Sequence, residues 1–302
     1  MRAFLLLLLL MAICFVAGAL LAYPVYLIVH PLNAGWPFHR VAARVAALLL
    51  VIGIVALVRH LHVTNRVAWG FGVPRTQFLR TFALALVLGL ISMSPIVAFL
   101  FGLDLRAIKA GVTIDLETLS IAAGGGLLSG LVVAVTEESF LRGAMFTAIA
   151  RESGQRAAIL LTALIYAAVH FLSRVRIPHE SVDWASGFEL LAGTFATFAH
   201  PAAFIDSFLA LAAVGVLLGL LRARTGNIAA CIGLHAGWVC IISVVRELSG
   251  RAPEGRWSFL IGDYDGVVGL LVLAWTIIIS TVYWFITRRG AKSGVSSTLT
   301  AG

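Results

Sequence analysis

The sequence predicts an all-α, polytopic membrane protein of about eight transmembrane helices that enclose a buried polar site. Two observations predict this fold class. Hydrophobic residues make up 61% of the 302 residues and charged residues only 12%, against about 25% charged in an ordinary soluble domain. The apolar residues are also gathered into long runs, and one of these runs contains the acidic pair Glu137 and Glu138.

Eight apolar runs are long enough to cross a bilayer, which takes roughly 17 to 25 helical residues. In hydrocarbon the backbone must satisfy its own hydrogen bonds, so each run is expected to form a helix. The fifth run is short. The predicted spans are 4–29, 41–58, 78–102, 127–149, 157–172, 202–221, 228–245 and 267–286.

The first run contains Ala17, Gly18 and Ala19, which resemble a signal-peptide cleavage site. The apolar region of a signal peptide is usually only ~7 to 15 residues long. Because this run continues well past that length, we expect it to remain as the first helix.

The distribution of charged residues predicts the orientation of the protein in the membrane and does not indicate a binding partner. The net charge is +8, but Lys and Arg are spread thinly over the loops, which argues against a nucleic-acid partner. With eight crossings, more Lys and Arg fall on the side of the two termini, and the positive-inside rule then puts both termini in the cytoplasm. We expect an integral protein of a bacterial inner membrane, surrounded by the lipid bilayer.

Two segments interrupt or follow the apolar runs. Residues 173–201 form the longest polar interruption, and loops of that length inside a compact domain are usually functional or disordered. A cap over a membrane-embedded cavity is the interpretation we favour for this segment. Residues 290–302 are small and polar, which predicts an unstructured tail.

Three ionisable residues lie in the fourth run: Glu137, Glu138 and Arg142. A charged side chain at the bilayer centre costs about 2.5 to 3.5 kcal/mol by insertion measurements, so such residues usually line a pathway or do chemistry. Successive helical residues are ~100° apart, which predicts an ion pair between Glu138 and Arg142 and points Glu137 at a different neighbour. Glu137 is then available as a general base for water. A network that only fixes helix packing is the alternative.

Two histidines lie in other apolar runs, His170 at the end of the fifth and His235 inside the seventh. Either one alone is typical of a packing residue, but two of them with an acidic pair indicate a site. Gly233 and Gly237 flank His235, which lets a neighbouring backbone approach closely. We expect both imidazole rings to lie within reach of one water bound by Glu137.

The motifs resemble those of a known family. The sequence EESFLRG at 137–143 resembles the EExxxR motif of the CPBP family of intramembrane proteases, which includes the CAAX prenyl endopeptidases and the Abi-like, bacteriocin-processing relatives. The sequence from Tyr166 to His170 resembles the FxxxH motif, with Tyr in place of Phe. Residues 227–239 resemble the segment that carries the third motif, HxxxN or HxxxD. The matched core covers 127–245.

The resemblance implies hydrolysis of a peptide bond within or beside the membrane. The substrate would be a membrane-tethered or hydrophobic peptide, such as a prenylated tail, a leader peptide or a sorting signal. Carried over to this chain, Glu137 would activate the water, His170 would hold it or pass protons, and His235 would stabilise the oxyanion. The supporting residues would be Glu138, Arg142 and Tyr166.

The resemblance also divides the chain into four parts. Residues 1–120 would form N-terminal transmembrane helices, and 121–250 a CPBP-like catalytic core. Residues 251–289 would hold the C-terminal transmembrane helix, and 290–302 the disordered tail.

Members of the family have been described as metalloproteases and as glutamate-type proteases. Glu137, His170 and His235 form a donor set that suits Zn²⁺ with an open fourth position. Glu137 would then be a ligand and a separate base would be missing, because Glu138 is tied to Arg142. The sequence therefore favours a glutamate-type mechanism without a cofactor, with zinc as the alternative.

One departure from the motifs keeps other functions open. The position four residues after the last histidine is commonly Asn or Asp in the family, and here it is Val239, which cannot form a hydrogen bond. An inactive relative that acts as a binding or immunity protein is one alternative. A proton-coupled transporter is another, although the sequence lacks the internal repeat typical of many transporters.

Overall fold

The computed structural model describes residues 1–32, 36–172, 175–253 and 255–296. Within these ranges the chain is almost entirely helical. The helices are α1 (Arg2–Val29), α2 (Phe38–His60), α3 (Arg75–Ser92), α4 (Ser94–Gly102), α5 (Leu116–Glu138), a π-helix (Ser139–Met145), α6 (Phe146–His170), α7 (Ser186–Thr194), α8 (Ile205–Thr225), α9 (Ala229–Leu248) and α10 (Leu270–Ser296). Short 3₁₀ turns cover His179–Ser181, Ala196–Ala199, Pro201–Ala203 and Ser258–Leu260. Strands β1 (Arg106–Ile108) and β2 (Ser249–Arg251) pair antiparallel, with Ala107 opposite Gly250.

The predicted all-α, polytopic membrane fold is confirmed. In the described part of the chain, 7 helical stretches are long and apolar enough to span a membrane. They are Arg2–Val29, Phe38–His60, Arg75–Gly102, Leu116–His170, Ile205–Thr225, Ala229–Leu248 and Leu270–Thr287. Their outward faces carry many exposed Leu, Ile, Val and Phe side chains, as expected where the surrounding solvent is lipid.

The stretch Leu116–His170 accounts for two of the predicted spans. Its 55 residues are far too long for one crossing at about 1.5 Å of rise per residue. The helix is broken at Gly154, where φ is 82° and ψ is 165°, a backbone conformation that glycine adopts without a Cβ penalty. Arg142 and Tyr166, equally far before and after this glycine, contact each other with 4.6 Å between guanidinium carbon and ring centroid. The chain therefore reverses at Gly154.

Contacts between loops define two ends of the helix bundle. At the first end, the amino group of Met1 donates to Glu152 at 3.1 Å. At the second end, the Tyr26 hydroxyl lies 3.1 Å from Nδ1 of His179, and Arg106 donates to the carbonyl oxygen of Gly266 at 2.9 Å. Helix α10 begins beside the second end and is long enough to reach the first. Met1 and the last turn of α10 thus lie at the same end of the bundle.

Several helix boundaries differ from the predicted ones for local reasons. Helix α5 begins at Leu116, well before predicted residue 127, because the Asp115 side chain caps it by accepting a hydrogen bond from the Thr118 amide at 2.8 Å. The third predicted span is divided into α3 and α4 just before Pro95, which suits the first turn of a helix. Helix α10 runs to Ser296, into the predicted tail, and residues 297–302 lie outside the described residues.

Residues 173–201 form more than the loop that the sequence predicts. They contain α7, which packs on α1 with Gly187 directly against the backbone of Ala19. The Phe195 ring meets Phe15 edge-on at a centroid distance of 5.5 Å. The segment forms one wall of a cavity of ≈ 490 Å³ between α1 and α2, and none of the predicted site residues lines that cavity. Residues 173 and 174 lie outside the described part of the chain.

Glycines let α9 pack closely on two neighbouring helices. A Cβ atom added to Gly130 of α5 would lie 2.6 Å from the Ala236 carbonyl oxygen of α9. On the opposite side, Gly233 and Gly237 of α9 face the backbone of α3. The predicted close approach beside His235 is therefore confirmed, and the imidazole lies deep in the bundle because its own helix does.

This packing predicts opposite effects for two glycines of α5. Gly130→Ala should lower the free energy of unfolding by about 1 to 3 kcal/mol, since the new methyl group must push two backbones apart. Gly124→Ala is the control, because a Cβ atom there meets nothing within 4 Å and alanine favours a helix. Thermal unfolding of both purified variants in detergent tests this, and equal midpoints would contradict the packing described.

Candidate active site

A buried ion cluster joins residues from the π-helix region and α9. The side chains of Glu138 and Arg142 are each 0% exposed. Nη1 of Arg142 donates to Oε1 of Glu138 at 3.0 Å, and Nδ1 of His235 lies 2.9 Å from the same oxygen. A carboxylate that ion-pairs with an arginine acts as an acceptor, so Nδ1 of His235 carries a proton and donates it. The predicted Glu138–Arg142 ion pair is present, and the bond from His235 to Glu138 is an addition to it.

The helix geometry at this point is wider than the sequence predicts. Ser139–Met145 is a π-helix that starts directly after Glu138 and contains Arg142. Hydrogen bonds in such a turn run from i to i+5, and single π turns inside α-helices are frequent at functional sites. Gly143 lies within it, and a Cβ atom there would come 2.7 Å from the Trp69 carbonyl oxygen. The EExxxR segment therefore forms a wider helical turn than an α-helix. It also packs against the backbone of the residues that precede α3.

Arg142 is held by residues that the sequence analysis missed. Its Nη2 donates to the Gly215 carbonyl oxygen of α8 at 3.2 Å. The backbone carbonyl of Arg142 accepts a hydrogen bond from Nε of Arg222 at 2.8 Å. Arg222 stands at the end of an apolar run, where the sequence indicates only a charge near the membrane surface. Its burial depends on the packing of α8 against the π-helix.

Tyr166 contacts both histidines. Its side chain is 3% exposed, and its ring centroid lies 4.7 Å from that of His170 and 5.9 Å from that of His235. Nδ1 of His170 lies 2.6 Å from the Tyr166 carbonyl oxygen. Because a carbonyl oxygen only accepts, Nδ1 carries the proton and Nε2 of His170 is left as an acceptor. The ring of Tyr264, another residue that the sequence analysis missed, lies 6.3 Å from that of His170.

Glu137 shares the neighbourhood of these rings. Its carboxylate is close enough to Tyr166 to interact with the phenol electrostatically. Its Oε2 atom is buried and has no hydrogen-bond partner among the described protein atoms. Tyr166 therefore contacts His170 and His235 and lies within electrostatic range of Glu137. These are the three residues for which the sequence predicts catalytic roles. A buried carboxylate oxygen without a partner usually marks strain, a bound water or a functional role.

An apolar cavity of ≈ 60 Å³ borders the cluster. Tyr166 and His235 line one side, and side chains of α4, α8 and α10 close the other. Val239, which replaces the polar residue common at this position in the CPBP family, lies one helical turn beyond His235 and also lines this cavity. The wall next to His235 is therefore apolar at that position.

The predicted zinc ligands do not form a metal site in the described residues. No group of three His, Cys, Asp or Glu side chains there lies close enough together to bind one ion. The bond from Nδ1 of His235 to Glu138 leaves Nε2 of this ring without a described partner. Because Glu137, His170 and His235 are not gathered around one point in the described structure, we derive no step through a metal.

Comparison with known proteins agrees with the motifs. The family model described as Type II CAAX prenyl endopeptidase Rce1-like matches residues 120–241. This range contains every site residue predicted from the sequence and Val239. Neither a curated protein nor a solved structure matches the chain. The family match coincides with the helices that enclose the buried ion cluster, and over residues 120–241 the chain is similar to the CPBP family of intramembrane proteases.

Proposed function

We propose that this protein is an intramembrane endopeptidase that cleaves a membrane-associated or hydrophobic peptide with a glutamate-activated water. The observation that carries the proposal is the difference between the two adjacent carboxylates. Oε1 of Glu138 accepts hydrogen bonds from Arg142 and His235. Oε2 of Glu137 and Oε2 of Glu138 both have no partner among the described protein atoms, but neither Arg142 nor His235 bonds to Glu137. One carboxylate organises the site and the other is available for chemistry.

Glu137 acts as the general base. It takes a proton from water while the water oxygen attacks the carbonyl carbon of the scissile peptide bond. The resulting tetrahedral intermediate collapses, the carbon–nitrogen bond breaks, and Glu137 returns the proton to the leaving amine. General acid–base catalysis of this kind contributes typically 10²–10⁴-fold. The partial burial of Glu137 suits this role, because it removes water that would otherwise solvate the carboxylate.

His235 stabilises the negative charge that develops on the carbonyl oxygen. Its Nδ1 donates to Glu138, so the other ring nitrogen, Nε2, is free to donate to the oxyanion once the ring is protonated. With His235 protonated, the charges of Glu137, Glu138, Arg142 and His235 sum to zero, as a low-dielectric interior favours.

His170 orients the attacking water. The Tyr166 carbonyl fixes the proton on Nδ1 of His170, which leaves Nε2 to accept a hydrogen bond from that water. The hydrogen bond from the water to Nε2 of His170 holds the second hydrogen of the water away from Glu137. The water oxygen is then positioned for attack. Tyr166 fixes the distance between the two imidazoles by contacting both rings.

The proposal extends to the surroundings of the enzyme. The apolar helices support an integral location, and we place the protein in a bacterial inner membrane with both termini in the cytoplasm. Met1 and the end of α10 lie at the same end of the bundle, which is compatible with that orientation. Reporter fusions at each terminus distinguish the two sides.

An inactive relative that only binds partners is the second candidate, and Val239 is the observation that favours it. If the missing amide abolishes oxyanion stabilisation, the wild-type chain binds a peptide without cleaving it. Turnover of any native precursor by the wild-type protein excludes this candidate.

A transporter predicts instead a proton flux in proteoliposomes that depends on Glu137.

Glu137→Gln should reduce cleavage by about 10²- to 10⁴-fold while the protein remains folded, because the amide cannot take a proton from water. Membrane proteomics of a strain that carries this variant should reveal uncut precursors, one of which then serves as the substrate for purified protein. Glu117→Gln, an exposed glutamate in the first turn of α5, is the matched control and should cleave normally. Full activity of Glu137→Gln would contradict the mechanism.

Extensive dialysis against EDTA and 1,10-phenanthroline should leave cleavage of the same precursor unchanged, since the described donors are not arranged as a metal site. Metal content is measured in parallel to show that the treatment is complete. Activity that disappears and returns on addition of Zn²⁺ would support the metallo-type alternative instead.

Val239→Asn should raise kcat roughly tenfold with little change in KM, because a new amide beside His235 can donate to the oxyanion; losing one such donor typically costs 10²–10³-fold. Val272→Asn, on the α10 side of the same cavity, is the control and should give no gain. Cleavage that appears only in Val239→Asn would identify the wild-type chain as the inactive relative.

A further inference from the structure

The cavity of ≈ 490 Å³ between α1, α2 and α7 is separate from the candidate active site. Its volume is within the range of pockets that bury small organic ligands, roughly 300 to 1,000 Å³. It lies toward the second end of the bundle, because Arg40 at the start of α2 and Arg176 before α7 both line it. None of the residues assigned to catalysis above reaches it.

One wall of this cavity is made of small and aliphatic side chains. Gly18 of α1 faces Ala46 of α2, where an added Cβ atom would lie 3.2 Å from the alanine methyl. Ala42 and Ala43 continue the wall along α2, and Leu190 closes it from α7. We call this wall the trough; it accommodates a hydrocarbon chain, since these side chains carry no hydrogen-bonding group.

The polar side of the cavity is cationic. Arg40 and Arg176 line it, and no acidic residue is among the lining side chains that the structure describes. Neither guanidinium forms an ion pair with a described residue, although such pairs occur elsewhere in the chain. Both arginines lie close enough to His39 to repel a charge on its ring, and the buried Nδ1 atom of His39 has no hydrogen-bond partner among the described atoms. Two guanidinium groups thus line this cavity without an acidic partner among the described residues.

Aromatic side chains at the second end of the bundle, toward which the cavity lies, mark the depth of the lipid headgroups. Trp36 precedes α2 and stacks on the guanidinium of Arg44 at 4.1 Å from its ring centroid. Tyr23 of α1 contacts Trp184, which precedes α7, at 5.0 Å between centroids. Trp and Tyr are enriched where the hydrocarbon meets the headgroups. The cationic side therefore faces the phosphate layer and the apolar trough faces the acyl chains.

We propose that this cavity binds one anionic phospholipid. Its phosphate lies between Arg40 and Arg176, and one acyl chain follows the trough along α1 and α2. Charge complementarity selects an anionic over a zwitterionic lipid, because two guanidinium groups without acidic partners need a net negative ligand. The bound lipid joins α7 to α1 and α2, and so stabilises the segment that covers this end of the bundle.

Native mass spectrometry of the full-length protein in detergent tests the proposal. Phosphatidylglycerol should bind with a stoichiometry of one, and roughly tenfold more tightly than phosphatidylcholine with the same acyl chains. The double variant Arg40→Gln and Arg176→Gln should lose this preference. The double variant Arg59→Gln and Arg75→Gln removes the same charge from exposed positions at the first end of the bundle and should keep it.

A second variant separates the acyl chain from the headgroup. Ala43→Trp fills the trough and leaves both arginines in place, so it should weaken retention of the lipid without unfolding the protein. Equal binding of the two lipids by the wild-type protein, or retained preference in the Arg40 and Arg176 variant, would overturn the proposal. Displacement of the lipid by inorganic phosphate alone would assign the site to a free anion and also overturn it.

Discussion

The ion pair between Glu138 and Arg142 is the constraint on which the arrangement of the surrounding helices depends. Both side chains are fully buried, and removing a charge from water costs several kcal/mol per ion even after relaxation. The contacts that offset this cost come from three other helices: the imidazole of His235 on α9, the carbonyl of Gly215 on α8 and the ring of Tyr166 on α6. The depth and rotation of each helix are therefore tied to one charged pair.

Small residues make these long-range contacts sterically feasible. A Cβ atom at Gly215 would lie 2.8 Å from the backbone of Ala163, so α8 and α6 meet closely beside Arg142. Gly233 and Gly237 have the same effect between α9 and α3. In a bilayer, where lipid tails are as apolar as leucine, such close approach supplies much of the packing energy. Polar bonds at the site and glycine contacts around it thus support each other.

The protein holds charge in two contrasting environments. In the ion cluster, Glu138 neutralises Arg142 within the bundle and accepts a hydrogen bond from His235, and the neighbouring carboxylate of Glu137 bonds to neither of them. In the cavity between α1 and α2, Arg40 and Arg176 line an opening that no acidic side chain among the described residues shares. In the ion cluster, Glu138 and Arg142 find their charged partners within the chain, which suits chemistry on a substrate that binds there. In the cavity, the two arginines are complementary to a negative charge that the membrane supplies.

The sequence by itself determined the membrane spans, the intrahelical pair of Glu138 and Arg142, and the glycine face beside His235, because each depends on composition or on spacing within one helix. Only the tertiary structure decided that His235 bonds to Glu138, that Arg222 holds the Arg142 backbone, and that α7 packs on α1. Contacts between helices depend on relative depth and rotation, which many weak packing interactions fix together. The periodic pattern of residues along one segment therefore does not predict the contacts between helices.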